Sequence, residues 1–454
     1  MKKTIILVIA CVATTLSTFA QEENVDPVLD LQQKVEVHSE AISKLNNLKI
    51  TGYLQPQFQW GEQAAALKVG TANEDATKSF NRIGVRRGRI KFVYDDGGIA
   101  SGTFQLNIVD KSNASGVSQA VVQLKEAYLT VKDPWFLKSA FQAGVFDRPF
   151  GNEISYSSSL LESPERSRVI NTFFPEECDL GGKFVLQAPA SSSLNFIKLE
   201  GGLFAGNAIN PEIDNHKDFI GHLTASKPIG SSAKWGLGVS YYNGGVYEGA
   251  NTGVYTMKDK SFVNNPITNA AFAKREYYGV DGQFSVETPF GMTQLRAEYM
   301  AGTQPGTSGS SSSPNYAAIP TTSTTTYKND PTTNIVKATA TTVYNNTYIR
   351  PAMGFYAILV QDLGQSPFSL VAKYDVYDPN TSISGNEIGA KDSNTSKTDI
   401  KYSTLGLGGL WRINPNVRIQ AYYEFVKNET STNLTSHISD LKDNTLTVRF
   451  QYKF

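Results

Sequence analysis

The sequence predicts an all-β protein, a transmembrane antiparallel β-barrel of about 16 strands preceded by a short helical segment. Apolar and polar side chains alternate with a period of two from Lys49 to the end of the chain. Long and short connections between these runs also alternate strictly. The 454 residues include 37 Gly, 22 Tyr and 24 Phe but only 19% charged residues, which is typical of large antiparallel β proteins with many turns.

The last strand, residues 444–454, shows the pattern most clearly. A long apolar edge strand in a soluble sheet invites aggregation, whereas in a closed barrel it pairs with the first strand and faces lipid. A terminal Phe also resembles the signal by which outer-membrane proteins are recognised for assembly. The apolar face consists of Leu446, Val448, Phe450, Tyr452 and Phe454, and the polar face of Thr445, Thr447, Arg449, Gln451 and Lys453.

The connections give the strand number. Eight long connections imply about sixteen strands, with short turns on the periplasmic side and long loops outside. The Ser/Thr-rich stretch 306–342 is of low complexity and is expected to be a mobile external loop. The predicted short turns are 95–98, 132–135, 187–193, 227–233, 287–291, 363–367 and 413–416, and the long connections are 61–78, 110–118, 151–178, 206–217, 243–273, 302–346, 378–397 and 427–443.

The amino terminus predicts export. Residues 1–20 read as a signal peptide, since Lys2 and Lys3 precede an apolar run at 4–13 and a small-x-small cleavage site ends at Ala20. Residues around Cys11 faintly resemble a lipoprotein box, but the apolar run continues past that residue. Cleavage leaves Cys178 without a disulfide partner, so we expect a small, buried thiol there.

Residues 21–47 are predicted to form a periplasmic helical segment, and residues 48–454 the porin-like barrel domain. Helical spacing places apolar residues and one histidine on a common seam over about two heptads. Two interpretations are open: an amphipathic helix lying on the barrel, or a small coiled coil joining subunits, which needs the barrel to hold it because two heptads are marginal alone. The seam consists of Leu31, Val35, His38, Ile42 and Leu45.

Charge and motifs exclude several function classes. Lys+Arg (42) equal Asp+Glu (42), so charge does not argue for nucleic acid, and no cofactor is expected. Enzymatic activity is not expected either, because none of the four histidines lies beside a nucleophile motif. Carboxylates at 374–381 could bind Ca²⁺, although a strand-end turn capped by Asp378 explains them more simply. A surface adhesin or structural outer-membrane barrel with external binding loops is the alternative to a channel.

The stretch from Lys125 to Gly182 carries motifs that resemble the phosphate-selective porin family (O and P type). These are the strand end GVFDRPFG at 144–151, the element Glu165-Arg166-Ser167, and the strand start Asp179-Leu180-Gly181. The resemblance extends over 48–454, with further matches at 203–207 and 277–281. It implies a homotrimeric, sixteen-stranded diffusion channel in the outer membrane of a Gram-negative type cell, with an inward-folded loop after the fifth strand.

The same alternation predicts a basic lumen. Low-dielectric walls focus the field of lumenal charges, so a modest preference for small anionic solutes such as phosphate is expected over other hydrophilic solutes. Lumenal acids are fewer, but some follow bases on the same strand, as Glu298 follows Arg296 and Asp375 follows Lys373, and such pairs could brace the wall. The lumenal bases are Arg87, Arg89, Lys91, Lys138, Arg148, Lys183, Lys198, Arg296, Lys373, Arg418, Arg449 and Lys453.

Eight residues are the predicted pore-lining or anion-binding set. Arg87 and Arg89 lie two residues apart on one face, as a bidentate phosphate contact requires. The resemblance places Glu165 and Arg166 near the constriction, where they either contact solute or form an ion pair that fixes the loop to the wall. His222 stands where the family commonly has an arginine. A neutral imidazole there weakens the prediction of a continuous row of lumenal bases. The set is Arg87, Arg89, Lys91, Arg148, Arg166, Lys183, His222 and Arg296.

Overall fold

The computed structural model describes residues 27–70, 77–112, 118–135, 138–249, 251–266, 272–313, 320–329, 336–344 and 346–454. The predicted signal peptide, residues 1–20, lies outside the described residues. The chain divides into two compact units, one containing the amino-terminal helix and the other the barrel from Ile50 onward.

The amino-terminal unit contains helix α1 (Pro27–Asn46), within the segment predicted to be helical. The apolar side chains of its predicted seam are exposed, namely Leu31, Val35, Ile42 and Leu45. Across the described residues, no helix combines the length and apolar character needed to cross a membrane.

The described part of the second unit contains a closed antiparallel barrel of sixteen strands, which confirms the predicted fold class. Its first and last strands pair from Tyr53↔Lys453 to Gly61↔Thr445, so neither is left as an edge. The barrel strands are β1 (Leu48–Gly61), β2 (Phe80–Asp95), β3 (Ala100–Ser112), β4 (Ser118–Lys132), β5 (Ala140–Asp147), β6 (Cys178–Gln187), β7 (Ile197–Phe204), β8 (Asp218–Ile229), β9 (Ala233–Tyr247), β12 (Phe272–Thr288), β13 (Gly291–Thr307), β16 (Thr347–Asp362), β17 (Phe368–Asp378), β18 (Tyr402–Arg412), β19 (Val417–Asn428) and β20 (Thr445–Lys453).

The barrel has polar side chains inside and apolar side chains outside. In β20, Arg449 is buried in the lumen, whereas its neighbour Phe450 is half exposed on the outer wall. In β1 the inward set is Tyr53, Gln55, Gln57 and Gln59, all of them buried. Because side chains alternate across a strand, this arrangement gives the wall a lipid-compatible exterior and a polar interior.

Long and short connections lie at opposite ends of the barrel, as predicted. We call the end with short connections, such as 230–232 and 289–290, the turn end, and the other the loop end. The predicted external loop at 306–342 contains strand structure, because β14 (Pro320–Asn329) and β15 (Val336–Tyr344) form a hairpin. The many threonines of this stretch favour extended backbone.

A second hairpin projects from the loop end. Strands β10 (Val254–Lys258) and β11 (Ser261–Asn264) pair with each other in the connection between β9 and β12. The first of them also pairs in parallel with the start of β16, from Val254↔Thr347 to Thr256↔Ile349. This connection is therefore joined to the barrel rim by backbone hydrogen bonds.

In two strands, the alternation of inward and outward side chains shifts by one residue partway along the strand. In β2 the outward residues are Ile83 and Val85 before the change and Tyr94 after it, so both Arg86 and Arg87 turn inward. In β4 the pairing with β3 shifts by one residue at Lys125, which leaves that residue and Glu126 both buried in the lumen. A β-bulge has this effect, since it adds one residue to a strand and reverses the later side chains.

Candidate functional site

The chain leaves β5 at Asp147, and residues 148–177, which we call the inner loop, fold into the lumen before β6 begins at Cys178. This confirms the inward-folded loop after the fifth strand. Contacts with strands all around the barrel define its position, and its one helix, α2 (Arg168–Phe173), is a short one.

The loop begins with an elbow at Gly151. This glycine has φ of 58°, and a Cβ there would collide with the Glu298 carboxylate of β13. The N–H of Asn152 donates to Glu298 Oε1 at 2.8 Å, and the hydroxyl of Tyr356 donates to the same oxygen at 2.7 Å. The N–H of Gly151 donates to Ser240 Oγ at 2.9 Å. The first turn of the loop is therefore held by the wall of β9, β13 and β16.

Further along, side chains of the opposite wall donate to the loop backbone. The donors belong to β1, β19 and β20, so the segment 158–164 follows that wall, and five of its carbonyl groups accept hydrogen bonds from it. The contacts are Gln55 Nε2 to Ser158 O (3.0 Å), Gln451 Nε2 to Ser159 O (3.1 Å), Arg418 Nη2 to Leu161 O (2.8 Å), Gln420 to Glu162 O, and Arg449 to Pro164 O.

Glu165 makes the densest set of ion pairs in the lumen. Its carboxylate lies 2.9 Å from Arg86 Nε, 2.8 Å from Arg87 Nη2 and 2.8 Å from Arg449 Nη2. Arg86 and Arg87 both reach it because β2 changes phase between them. Removing one partner of such a buried set is costly, since it leaves uncompensated charge in a poorly solvated place.

Three other acids of the loop bind wall bases. Glu153 Oε1 lies 2.9 Å from Lys373 Nζ, Glu162 pairs with Arg296, and Glu177 pairs with Lys125. The sequence suggested instead that Arg296 pairs with Glu298 and Lys373 with Asp375. In the structure both bases turn to acids of the inner loop.

Arg166 holds the loop together from within. Its guanidinium donates to the carbonyl oxygens of Glu153 (2.8 Å), Ile154 (3.2 Å) and Tyr156 (2.7 Å), and it pairs with Glu177. The planar fork of arginine suits several fixed acceptors at once. Arg166 therefore joins the two legs of the loop, and the acid that fixes the loop to the wall at this point is Glu165.

Aromatic packing fills one side of the lumen. The loop residues Phe150, Phe173 and Phe174 are buried, and Phe173 stacks on Tyr277 with ring centroids 4.4 Å apart. Phe174 packs edge-on to the same tyrosine at 5.6 Å. The apolar part of the loop therefore occupies the side formed by β8, β9 and β12, and the polar part faces β1, β2 and β17 to β20.

The foot of the loop contains two linked buried ion pairs. Arg148 Nε lies 3.0 Å from Asp179 Oδ2, and Arg275 Nη2 lies 2.6 Å from Asp218 Oδ2. All four side chains are at most 3% exposed. The hydroxyl of Tyr242 also donates to Asp218. These groups brace the wall beside the loop and have no surface left for solute.

The structure places all eight predicted site residues on the lumenal side or in the loop, and seven of them contact a carboxylate. Arg89 is the exception, since it donates to Asn107 Oδ1 (3.2 Å) and Ser158 Oγ (3.4 Å). The acid partners are Glu165 for Arg87, Glu126 for Lys91 (2.7 Å), Asp179 for Arg148, Glu177 for Arg166, Glu200 for Lys183 (2.8 Å), Asp281 for His222 (2.8 Å) and Glu162 for Arg296.

Sequence reasoning missed two lumenal bases, Arg86 and Lys125. Neither is among the predicted lumenal bases, because a continuous period of two through β2 and β4 puts both side chains on the outer face. A signal was present, since Ile83 and Val85 sit at odd positions whereas Ile90, Phe92 and Tyr94 sit at even positions. Such a switch requires a bulge between them.

Electrostatics keep the loop acids ionised. Burial alone opposes the charge of Glu165, but the guanidiniums of Arg86, Arg87 and Arg449 outweigh it and lower its pKa well below the usual range. Burial is likewise outweighed at Glu177, where Arg166 and Lys125 lower the pKa. Both ion-pair sets are therefore present over the physiological pH range.

Two separate cavities flank the inner loop. The outer cavity, at the loop end, has a volume of about 450 Å³ and is lined by loop residues from Pro164 to Thr172 and by β17 to β20. The inner cavity, at the turn end, has a volume of about 460 Å³ and is lined by residues from Gly151 to Tyr156 and by β7, β8, β9, β12 and β13. The two sides of the inner loop therefore have different linings.

Other residues whose side chains are reactive or able to bind metal have structural partners. His222 Nε2 lies 2.8 Å from Asp281 Oδ2, and Asp378 Oδ1 accepts the N–H of Asn380 at 3.1 Å, as a capped turn requires. Cys178 is buried, as predicted for a lone thiol, and its Sγ donates to Asp147 Oδ1 at 3.1 Å. These groups are engaged in holding strands and turns.

We predict that Glu165→Gln loosens the inner loop, because the substitution leaves three guanidiniums without their common carboxylate at a cost of about 3–5 kcal/mol in loop docking. Hydrogen exchange of residues 157–165 should become faster, and single-channel recordings should become noisier. Glu212→Gln is the control, since it removes an equal charge from the connection 205–217, where Glu212 pairs with Lys217. Unchanged exchange in Glu165→Gln contradicts the anchoring role.

We also predict the pH dependence of this anchor. A carboxylate with a lowered folded-state pKa stabilises above its unfolded pKa, and that contribution is lost as pH falls through the lowered value. Channel noise in the wild type should therefore stay constant from about pH 7 to about pH 5 and rise only in stronger acid. An increase in noise already near about pH 6 in the wild type would show that another group holds the loop.

Two solved structures are similar to this chain. OmpF of Salmonella typhi in complex with daunomycin is 12% identical with a TM-score of 0.52, and the outer membrane channel DcaP of Acinetobacter baumannii is 10% identical with a TM-score of 0.50. Each comparison covers 90% of this chain and 97% of the other. No family model and no curated protein matches the sequence. At these identities the likeness establishes the fold, which is the barrel that OmpF and DcaP share.

Proposed function

We propose that this chain is an outer-membrane porin, a water-filled diffusion channel for small hydrophilic solutes. The observation that carries the proposal is a closed sixteen-stranded barrel with a polar lumen and an apolar outer wall, narrowed by a loop fixed inside it. Eight-stranded barrels fill with side chains, whereas sixteen strands enclose an aqueous lumen. The likeness to the outer membrane channel DcaP supports the same proposal.

The apolar outer wall of the barrel supports a location in the outer membrane. The exposed apolar belt, which includes Leu54, Phe104, Val239 and Leu407, suits contact with outer-membrane lipids, and aromatic residues such as Trp411 suit the membrane interface. We propose that residues 1–20 act as a cleaved signal peptide and that the loop end faces outward, since long connections are external in such barrels.

The finer part of the proposal is a modest preference for anions such as phosphate. It rests on the excess of bases over acids among lumenal strand residues. The ion pairs of the inner loop oppose it, because Glu153, Glu162, Glu165 and Glu177 bring four negative charges to wall bases. We therefore expect a weak preference for anions. Selectivity for phosphate would require lumenal bases that form no ion pair with the acids of the inner loop.

The second candidate is a surface adhesin. It is favoured by the compact folding of the external connections, where Ile383, Ile388 and Ile400 pack with Leu434 and Lys260 pairs with Glu387. A preformed external surface suits protein binding, whereas a channel needs only that these loops leave a passage.

Purified protein in a planar bilayer should give stepwise ohmic conductance, because polar side chains line the cavities on both sides of the inner loop. In a KCl gradient, the reversal potential should have the sign of a weakly anion-selective pore. Arg89→Gln should reduce that preference, since Arg89 is the predicted site residue without a carboxylate contact. Cation selectivity in the wild type overturns the finer proposal. The absence of conductance in folded protein favours the adhesin.

We propose a homotrimer, with the exposed seam of α1 forming a short coiled coil between subunits. Val35→Cys on the seam should give disulfide-linked subunits under oxidation, whereas Glu36→Cys, which points away from the seam, should give few. Native mass spectrometry of the detergent-solubilised protein should show three chains. A monomeric mass together with equal crosslinking at both positions contradicts the proposal.

A further inference from the structure

The outer cavity has the composition of a binding site. Of the eight predicted site residues, only Arg166 lines it. Its volume of about 450 Å³ falls within the range of small-molecule pockets, roughly 300–1,000 Å³. It lies at the loop end, so a solute that enters from that side meets it before passing the inner loop. Bases, acids, amides and hydroxyls all line it, together with the rings of Tyr402 and Tyr422.

The cavity contains bases that no carboxylate engages. Four bases line it, and two of them, Arg166 and Lys373, are paired with Glu177 and Glu153. The remaining two are Arg168, from the inner loop, and Lys68, from the connection after β1, and among the described residues neither forms an ion pair within 4.0 Å.

Arg168 is held in an orientation suited to a ligand. Its guanidinium lies over the ring of Tyr402, 4.1 Å from the centroid, which fixes the plane of the fork without using its N–H groups. Its backbone N–H donates to Asp375 Oδ2 at 2.6 Å, so the first residue of α2 is tied to β17. A positioned guanidinium recognises a carboxylate bidentately.

Acceptors line the same cavity near its rim. Asn428 is 2% exposed, its Nδ2 donates to Asp443 Oδ2 at 3.0 Å, and its Oδ1 has no partner in the described part of the chain. Asp443 Oδ1 is likewise unpartnered. Glu424 accepts a hydrogen bond from Thr445 Oγ1 at 2.8 Å and forms no ion pair with any residue that the structure describes. A buried acceptor left without a donor is costly, so these atoms suit a ligand that brings donors.

We propose that the outer cavity is a subsite for small zwitterions, molecules with one carboxylate and one ammonium group. The Arg168 guanidinium binds the carboxylate, and the acceptors of Asp443, Asn428 and Glu424 bind the ammonium. These groups all line the same cavity, and among the described residues no ion pair within 4.0 Å joins Arg168 to Asp443 or to Glu424. This inference rests on the proposed channel function and names a solute class for it.

The arrangement distinguishes zwitterions from simple ions. An inorganic anion at Arg168 meets the repulsion of Asp443, Glu424 and Asp375, and a cation at the acidic side meets Arg168 and Lys68. A zwitterion satisfies both sides, and because it carries no net charge it loses little from the field of the whole lumen.

The experiment compares the swelling rates of proteoliposomes in L-glutamine and in arabinose, which are similar in size and carry no net charge. Wild-type protein should admit glutamine faster at low ionic strength. In Arg168→Gln and in Asp443→Asn the ratio of the two rates should fall by about twofold to fivefold. Lys234→Gln is the control, because it removes a base that lines the inner cavity and forms no ion pair in the described structure.

KCl conductance of every variant separates the two proposals. Absence of conductance in wild-type protein overturns the porin proposal itself. Normal conductance with an unchanged glutamine ratio in both Arg168→Gln and Asp443→Asn overturns the zwitterion subsite alone. Stronger block of KCl current by inorganic phosphate than by glutamine also overturns it, since that result identifies the cavity as an anion site. Block by glutamine that Glu424→Gln weakens supports it.

Discussion

The arrangement of side chains inside the barrel depends on one interaction. This is the attraction between the acids of the inner loop and the bases of the wall. A closed lumen removes charges from bulk water, and each charge must then be paired or solvated. Glu165 between Arg86, Arg87 and Arg449 is the clearest example, since one carboxylate joins strands β2 and β20 to the loop. The loop could not cross the lumen without such contacts, and the wall bases could not be packed so closely without the loop.

The barrel itself was predictable from the sequence because lipid imposes a strict rule on it. Every strand must place apolar residues outside, so a period of two fixes the face of each residue, and closure follows from the pairing of the last strand with the first. The alternation of connections then gave the strand number, and the family resemblance implied that the long connection predicted at 151–178 folds inward. The same rule fails where a strand contains a bulge, which is why Arg86 and Lys125 are missing from the predicted lumenal bases.

The contacts of the candidate site were less predictable, because they join residues far apart in the chain. Lys373 binds Glu153, 220 positions away, whereas the sequence placed it beside Asp375. A local pattern reports which face a side chain occupies and does not report which loop will cover that face. For the same reason the predicted set of eight bases was located in the lumen or the loop, but its partners could not be read from the alternation.

Stability and selectivity are therefore coupled in this lumen. Each acid that fixes the loop also cancels the field of a wall base. A tightly held loop therefore lowers the positive potential that the strands alone would produce in the lumen. Among the described residues, the charged groups that line the outer cavity without an ion pair within 4.0 Å are Arg168, Lys68, Asp443 and Glu424. In the proposed channel, these are the charges that the loop acids leave available to solute. The count of lumenal bases consequently says little about selectivity until the loop is placed among them.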